Sequence, residues 1–376
     1  MLTALQHKEP DKVPFDLGGT SVTGIHRCAY QRLVTHLGID ARGFKLHDTI
    51  TQRAEISEEI CQRLKVDVRM IDIVTKGEVS DLQDEGNYTS FTDDFGIKWA
   101  MPKRGGLYYD MRAHPLSGSI TVKDVQEQPL PPLPEPANLQ ETKWSLKESP
   151  TDYALTIAAP GGGGIFELAS WLRGFKEFYM DLAGNPSLAT LLLDRLTDFK
   201  IQSWDRLLDA FGDMAQIALE ADDLSTQEGL LISPAMYRRL IKPRHKRLFE
   251  FIKKKSQAPI YIFFHSCGAV YDLIPDLIDA GVDILNPVQV SAAKMDTRRL
   301  KKEFGDELVF WGGGVDTQHV LPHGTSTEVR DEVKRRIDDL APGGGFIFAA
   351  VHNIQADVPP ENIMAMWEVL QEYGVY

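Results

Sequence analysis

The chain is poor in cysteine, holding only Cys28, Cys61 and Cys267 among 376 residues. Three scattered thiols build no disulfide framework and suit a reducing compartment. No apolar run approaches the length that crosses a bilayer. The N-terminus lacks the charged-then-apolar pattern of a secretion signal, so a cytoplasmic location without membrane contact is expected. Basic residues are in deficit: 41 Lys and Arg face 54 Asp and Glu, a formal charge of -13. An acidic chain without a basic stripe makes a poor host for phosphate backbones, so nucleic acid is not an expected partner. Neither a GxGxxG after a first strand nor a Gly-Lys-Ser/Thr phosphate loop occurs. That counts against a dinucleotide fold and against a nucleotide P-loop.

What is present is 43% hydrophobic residues, enough for one large core. The second half alternates strand-like and helix-like segments. Strands are read at 214–219, 260–264, 282–285, 308–311 and 346–350. Helices are read at 233–251, 272–280, 297–304, 327–340 and 360–373. Short connections in such an alternation demand parallel strands bridged by helices. Candidates at 66–74 and 153–159 bring the strands to six or seven, near the eight of a barrel. The expected fold is a single α/β TIM (β/α)8 barrel over residues 1–376 with an N-terminal helical extension. Residues 85–150 break the rhythm. Within them 88–97 and 98–110 read as a hairpin, and QPLPPLPEP at 128–136 is too proline-dense for a helix or central strand. This stretch reads as an insertion and loop at one end of the barrel. Cys28 and Cys61 fall in helix-like stretches, 26–37 and 53–64, as small core residues.

In a barrel, reacting groups come from the C-terminal ends of the strands. That rule selects Glu220, Asp222 and Asp223, then His265 and Cys267, then Asn286 and Gln289, then 312–316, then His352 and Asn353. Five successive polar strand ends imply a polar pocket. Its most informative part is His265-Ser266-Cys267, which follows the apolar run IYIFF at 260–264. Residues two apart on an extended chain project to the same side, so an imidazole and a thiol aimed together supply half of a zinc site. A buried cysteine beside a hydrogen-bonded histidine is the competing reading.

His352 could complete the shell, or act as a catalytic histidine that binds substrate or orients a carboxylate. Gln289, a neutral amide, is a weaker ligand. Asp222 and Asp223 read as acid/base or substrate-orienting groups, one facing the pocket while the other caps a neighbouring segment. Asn286, Gln289 and Asn353 read as substrate-binding. PGGGG at 160–164, before a helix, either cradles an anion or lets a substrate approach the backbone. Trp171, Phe175, Phe178 and Tyr179 crowd the following helix, mostly as core. His7, His36, His245 and His323 read as surface residues without partners.

DDLSTQEGLLISP at 222–234, FHSCG at 264–268, DILNPVQ at 283–289, WGGGVDTQ at 311–318 and GGGFIFAAVHNIQADVPPEN at 343–362 resemble the uroporphyrinogen decarboxylase superfamily. The likeness is strongest from about residue 210 onward and implies a TIM barrel. It also implies one of two chemistries. True decarboxylases of this superfamily strip acetate carboxylates from a tetrapyrrole without metal, using an arginine-bearing Gln-Ala-Gly-Arg motif and an aspartate. LGGTSVTG at 17–24 stands where that motif falls and holds no arginine, while Asp72 lies roughly at the aspartate.

The other branch moves methyl groups at a zinc site with a His-x-Cys pair and, usually, a further cysteine near the last strand. His265 and Cys267 match the pair, and His352 stands near the absent cysteine. The resemblance thus implies a zinc-dependent methyltransferase or demethylase for a small methylated substrate, with Zn²⁺ on His265, Cys267 and His352. A corrinoid carried by a separate protein is the implied partner, since no Asp-x-His-x-x-Gly occurs here. The alternative is a metal-independent decarboxylase whose cationic pocket falls to Arg27, Arg112 and Arg173. Self-association as a homodimer stays open.

Overall fold

The computed structural model describes residues 1–40, 42–73, 79, 81–147 and 153–376. Its centre is a seven-stranded parallel sheet. The strands are β1 (Val68–Met70), β2 (Ala154–Ala158), β3 (Ile217–Ala221), β4 (Tyr261–His265), β5 (Ile284–Asn286), β6 (Val309–Trp311) and β7 (Phe346–Ile347). Each pairs in parallel with its neighbour in the chain, the order of a sheet curling into a barrel. β-Branched and aromatic residues make these segments strands, and burial on both faces makes them apolar runs. The chain has the TIM-like α/β fold.

The first and last strands are joined by an element that no strand pattern announces. The Phe348 amide donates to the Pro14 carbonyl at 2.8 Å, and the Asp16 amide donates to the Phe348 carbonyl at 2.9 Å. On the other side, the Asp67 amide donates to the Phe15 carbonyl at 2.9 Å, and the Phe15 amide to an Asp67 carboxylate oxygen at 2.8 Å. Residues 14–16 therefore complete the circuit between β7 and β1. Of the expected helical extension, Leu2–Leu5 is helical before this point and Arg27–His36 after it.

Burial drives the Asp16 carboxyl up to about 6, against hydrogen bonds from Thr23, Gly19 and Trp311 that oppose the rise. Phe15, Phe263, Trp311 and Phe348 fill the interior, with Phe263 and Trp311 edge to face at 5.2 Å.

The outer helices follow the sequence closely. Ser233 caps Pro234–Met236, which runs through a π-turn at Tyr237–Ile241 into Lys242–Lys255. Thr325 and Glu328 form a capping box on Ser326–Leu340, worth about 1 kcal/mol by its N-cap alone.

The insertion lies between β1 and β2. It is a four-stranded antiparallel meander, Gln83–Glu85, Tyr88–Thr92, Lys98–Pro102 and Asp110–Ala113, rather than a hairpin. Helices Val122–Glu127 and Pro136–Lys147 follow, so the proline-rich run ends by starting a helix. The expected helix at 53–64 is also corrected. Arg53–Ala54 is a short strand paired with Leu46–Asp48, and the helix is Glu58–Arg63, capped by Ser57. Cys61 is buried and Cys28 half-buried. Val74 and residues 148–150, within expected segments, lie outside the described residues. Among the described residues, no helix is long and apolar enough to cross a membrane.

Candidate metal centre

The pleat of β4 divides its side chains. Phe264 turns outward onto Phe249 and His245 of the covering helix, while Phe263 and His265 turn inward. His265 lies in register with Ala221 of β3 and Asn286 of β5. Its Nδ1 is 2.6 Å from Asn286 Oδ1. The Asn286 amide NH₂ donates to the Trp311 carbonyl at 2.8 Å. A carbonyl only accepts, so the Asn286 oxygen must face His265 and His265 Nδ1 must carry the proton. Nε2 then faces Cys267 Sγ at 3.4 Å.

The His352 ring meets the His265 ring edge to face at 5.2 Å. One donor atom from each of His265, Cys267 and His352 lies within 4.8 Å of the others. Burial, then the charges of His265 and Arg53, push His352 down to about 3, so it offers a neutral imidazole. Tetrahedral zinc with bonds of about 2.3 Å to sulfur and about 2.05 Å to nitrogen holds S and N roughly 3.6 Å apart. His265 and Cys267 already satisfy this at 3.4 Å, with the His352 donor within 4.8 Å of both. Two imidazoles and one thiolate with a position left open fit a catalytic zinc.

The loop after β4 is fastened at every turn. Gly268 adopts φ +93, and a Cβ there would lie 2.4 Å from the Thr226 carbonyl, so only glycine fits. Its amide donates to Gln289 Oε1 at 2.7 Å, and the Cys267 amide donates to Asp223 Oδ1 at 2.7 Å. Asp223 Oδ1 is also 3.9 Å from His265 Nε2. Burial, followed by Asp223 and Glu167, pushes the Cys267 thiol well above its usual range. Such an acidic, desolvated surrounding favours a thiolate only when a cation joins it.

Glu167, which the sequence reading passed over, belongs to this acidic edge. It stands in the first turn of the helix Ile165–Arg173, just beyond the glycine run that had drawn attention. Burial, then Asp223 and Asp222, raise its carboxyl well above the usual range, so it holds a proton.

Asp222 is wholly buried and faces away from the cluster. Its oxygens accept from the Phe166 amide at 3.0 Å and the Glu167 amide at 2.8 Å, and one sits 2.7 Å from His245 Nε2. Of the adjacent aspartates, then, Asp223 reaches the cluster and Asp222 caps a helix. His245 is a correction: it is 2% exposed and also meets the Tyr237 hydroxyl at 3.2 Å. His7 likewise has a partner, the Gly305 carbonyl at 2.9 Å. An added Cβ at Gly164 would fall 1.5 Å from the Ala221 carbonyl. The glycine run therefore lets a helix start against the end of β3, and its anion is the protein's own Asp222.

Residues 137–373 match the family model for uroporphyrinogen decarboxylase (URO-D). The chain belongs to the uroporphyrinogen decarboxylase family. A uroporphyrinogen decarboxylase of Thermus thermophilus is 27% identical over 222 residues, 56% of this chain and 58% of that protein. That of Citrifermentans bemidjiense is 25% identical over 254 residues, 65% and 68% of the two chains. The alignment thus spans less than two-thirds of the Thermus protein. A methyltransferase from Methanosarcina mazei superposes with a TM-score of 0.65 at 18% identity, over 99% of this chain and 97% of that one, which shows a shared fold.

In this member of the uroporphyrinogen decarboxylase family, the amides expected to bind substrate act as fasteners. Both ends of Asn286 are engaged, as above. Asn353 accepts from the Gly24 amide at 2.6 Å and donates to the Ser21 carbonyl at 3.4 Å, clamping the loop at 17–24. The arginines proposed for a cationic pocket are elsewhere. Arg173 donates to the Leu116 and Gly118 carbonyls and to Asp181. Arg112 stacks over Tyr88, and Arg27 is exposed. Glu220 points outward into a buried pair with Lys200 at 2.8 Å and the Trp204 indole at 2.6 Å. A small cavity bounded by Ser21, Ala158, Gly162, Lys200, Glu220 and His265 lies on the His265 side of the cluster.

Proposed function

We propose that this protein is a zinc-dependent methyltransferase or demethylase acting on a small methylated molecule, with His265, Cys267 and His352 as the zinc ligands. The observation that carries the reading is the Nε2 lone pair of His265, set beside Cys267 Sγ with His352 as third donor. Bound zinc would supply Lewis acidity toward the oxygen or sulfur that gives up or takes the methyl group.

The chain's own residues do the rest. Asn286 holds the His265 tautomer, as partners behind a metal ligand commonly do. Asp223 and Gln289 hold the backbone around Cys267. Glu167 keeps a proton beside Asp223, where an atom leaving with a pair of electrons can be protonated. A separate corrinoid protein is the proposed methyl carrier.

Metal analysis tests this directly. About one zinc per chain is expected in protein purified without chelators, and Cys267→Ser should lose most of it. Wild-type protein that neither contains zinc nor binds it on titration overturns the reading. The names of the relatives favour a second reading, metal-independent decarboxylation of a polycarboxylate. The Asp223 carboxylate weighs against it, because a many-charged anion needs cations around it. Turnover of uroporphyrinogen that survives chelation and Cys267→Ala would establish that second activity.

A further inference from the structure

Among the described residues, Arg53 carries a charge that no hydrogen-bonded carboxylate answers. It sits in the short strand Arg53–Ala54, where Ala54 N donates to the Ile25 carbonyl. Its side chain passes over Gly24: a Cβ added there would lie 2.9 Å from Arg53 Cδ and 3.3 Å from Asn353 Oδ1. The guanidinium stem therefore runs beside the residue that follows His352. Arg53 is 6% exposed, and its Nε is buried with no hydrogen-bond partner. Among the described residues no carboxylate comes within ion-pairing distance of it. Asp48 spends its oxygens on Ile50 and Thr51, and Asp72 is exposed and acts only through space.

A buried, unpaired guanidinium is costly for a fold to keep. It is also a rigid fork of donors matched to a planar or tetrahedral oxyanion. Its charge is felt at His352 and at His47, and burial keeps both imidazoles below their ordinary range. His47 lies in the strand Leu46–Asp48 that pairs with Arg53–Ala54.

We infer that Arg53 forms an oxyanion subsite next to the His265, Cys267 and His352 cluster, and that the small substrate carries one carboxylate or equivalent group. The assignment of this anion to the substrate rests on the function proposed above. The subsite itself needs no metal. One cation suits a single anionic group and not a polycarboxylate.

Calorimetric titration of metal-free protein in chloride-free buffer of fixed ionic strength tests the subsite. The probes are acetate, methanesulfonate and phosphate, with acetamide as neutral control. Wild type and Arg112→Met should bind at least one anion saturably, and Arg53→Met about tenfold or more weakly, the loss expected for a charged hydrogen bond. Ranking the three probes identifies the oxyanion. Ligand-free Arg53→Met should melt about 2 °C or more above wild type, because an unpaired buried cation has been removed. No saturation of wild type below roughly 0.1 M overturns the inference. So do equal binding by Arg53→Met, binding of acetamide as tight as acetate, and a lower melting temperature in that variant, which would make Arg53 structural. Because no zinc is added, anion binding in a protein that fails the metal test would leave this subsite standing.

Discussion

Asn286→Leu keeps the branching of the side chain but removes two buried hydrogen bonds, one to His265 Nδ1 at 2.6 Å and one to the Trp311 carbonyl at 2.8 Å. Both partners are buried, so each is left without an alternative. At about 1–3 kcal/mol per orphaned group, the loss of stability should reach about 2–6 kcal/mol, a large part of the roughly 5–15 kcal/mol that holds a domain together. The freed imidazole can also place its proton on Nε2, the atom that faces Cys267. Zinc affinity should then fall about 10–100-fold, the usual effect of losing a partner behind a metal ligand.

Asn286→Asp separates the two effects. It keeps an acceptor facing Nδ1 but loses the amide donor to Trp311, so it should be less stable yet bind zinc nearly as wild type does. Competition against a chromophoric chelator measures affinity, and urea denaturation of the metal-free protein measures stability. If Asn286→Leu binds zinc as tightly as wild type, the tautomer argument is wrong, whatever happens to stability.

Gly164→Ala should fail to accumulate as folded protein, since its Cβ would sit 1.5 Å from the Ala221 carbonyl. Gly184→Ala, with nothing within 4 Å of its Cβ, should gain up to about 1 kcal/mol by helix propensity; soluble yield and thermal melting distinguish the two. His245→Leu leaves Asp222 buried without its imidazole partner and should cost about 1–3 kcal/mol in urea unfolding. His352 sets a pH dependence whose sign follows from its lowered value of about 3. Between about pH 6.5 and 3 the unfolded chain takes up this proton and the native chain does not, so stability falls by at most about 1.4 kcal/mol per unit. In unfolding curves across that window His352→Gln should show a shallower fall; an unchanged slope contradicts a His352 that stays neutral in the fold.

Strands whose apolar character comes from burial on both faces were legible, as β3, β4 and β6 show, and so were helices with strong caps at Ser233 and Thr325. Residues 14–16 were not, because Pro14 and Asp16 carry no strand signature and their pairing depends on Phe348 far along the chain. His265 and Cys267 could be read from a spacing of two on one strand. Which of Asp222 and Asp223 acts as the cap was not legible, because it depends on a helix start some 55 residues earlier, and His245 was read as exposed because its partner is that same Asp222. Glu167 and Arg53 escaped notice for the same reason: their importance lies in what surrounds them in space, and neither stands at a strand end of the sheet.

The closure at residues 14–16 has a consequence for the order in which the protein comes into being. During synthesis those residues leave the ribosome before every strand of the sheet, yet their partner Phe348 emerges more than three hundred residues later. β1 to β7 can pair with chain neighbours as they appear, while the joint between the two ends must wait. Contacts this remote in sequence are the slow kind. His352, Asn353, Gly24 and Arg53 all flank that joint, so binding chemistry arrives only with the last act of folding. A nascent or partly unfolded chain would hold the His265–Cys267 pair but neither the third ligand in place nor the cation beside it.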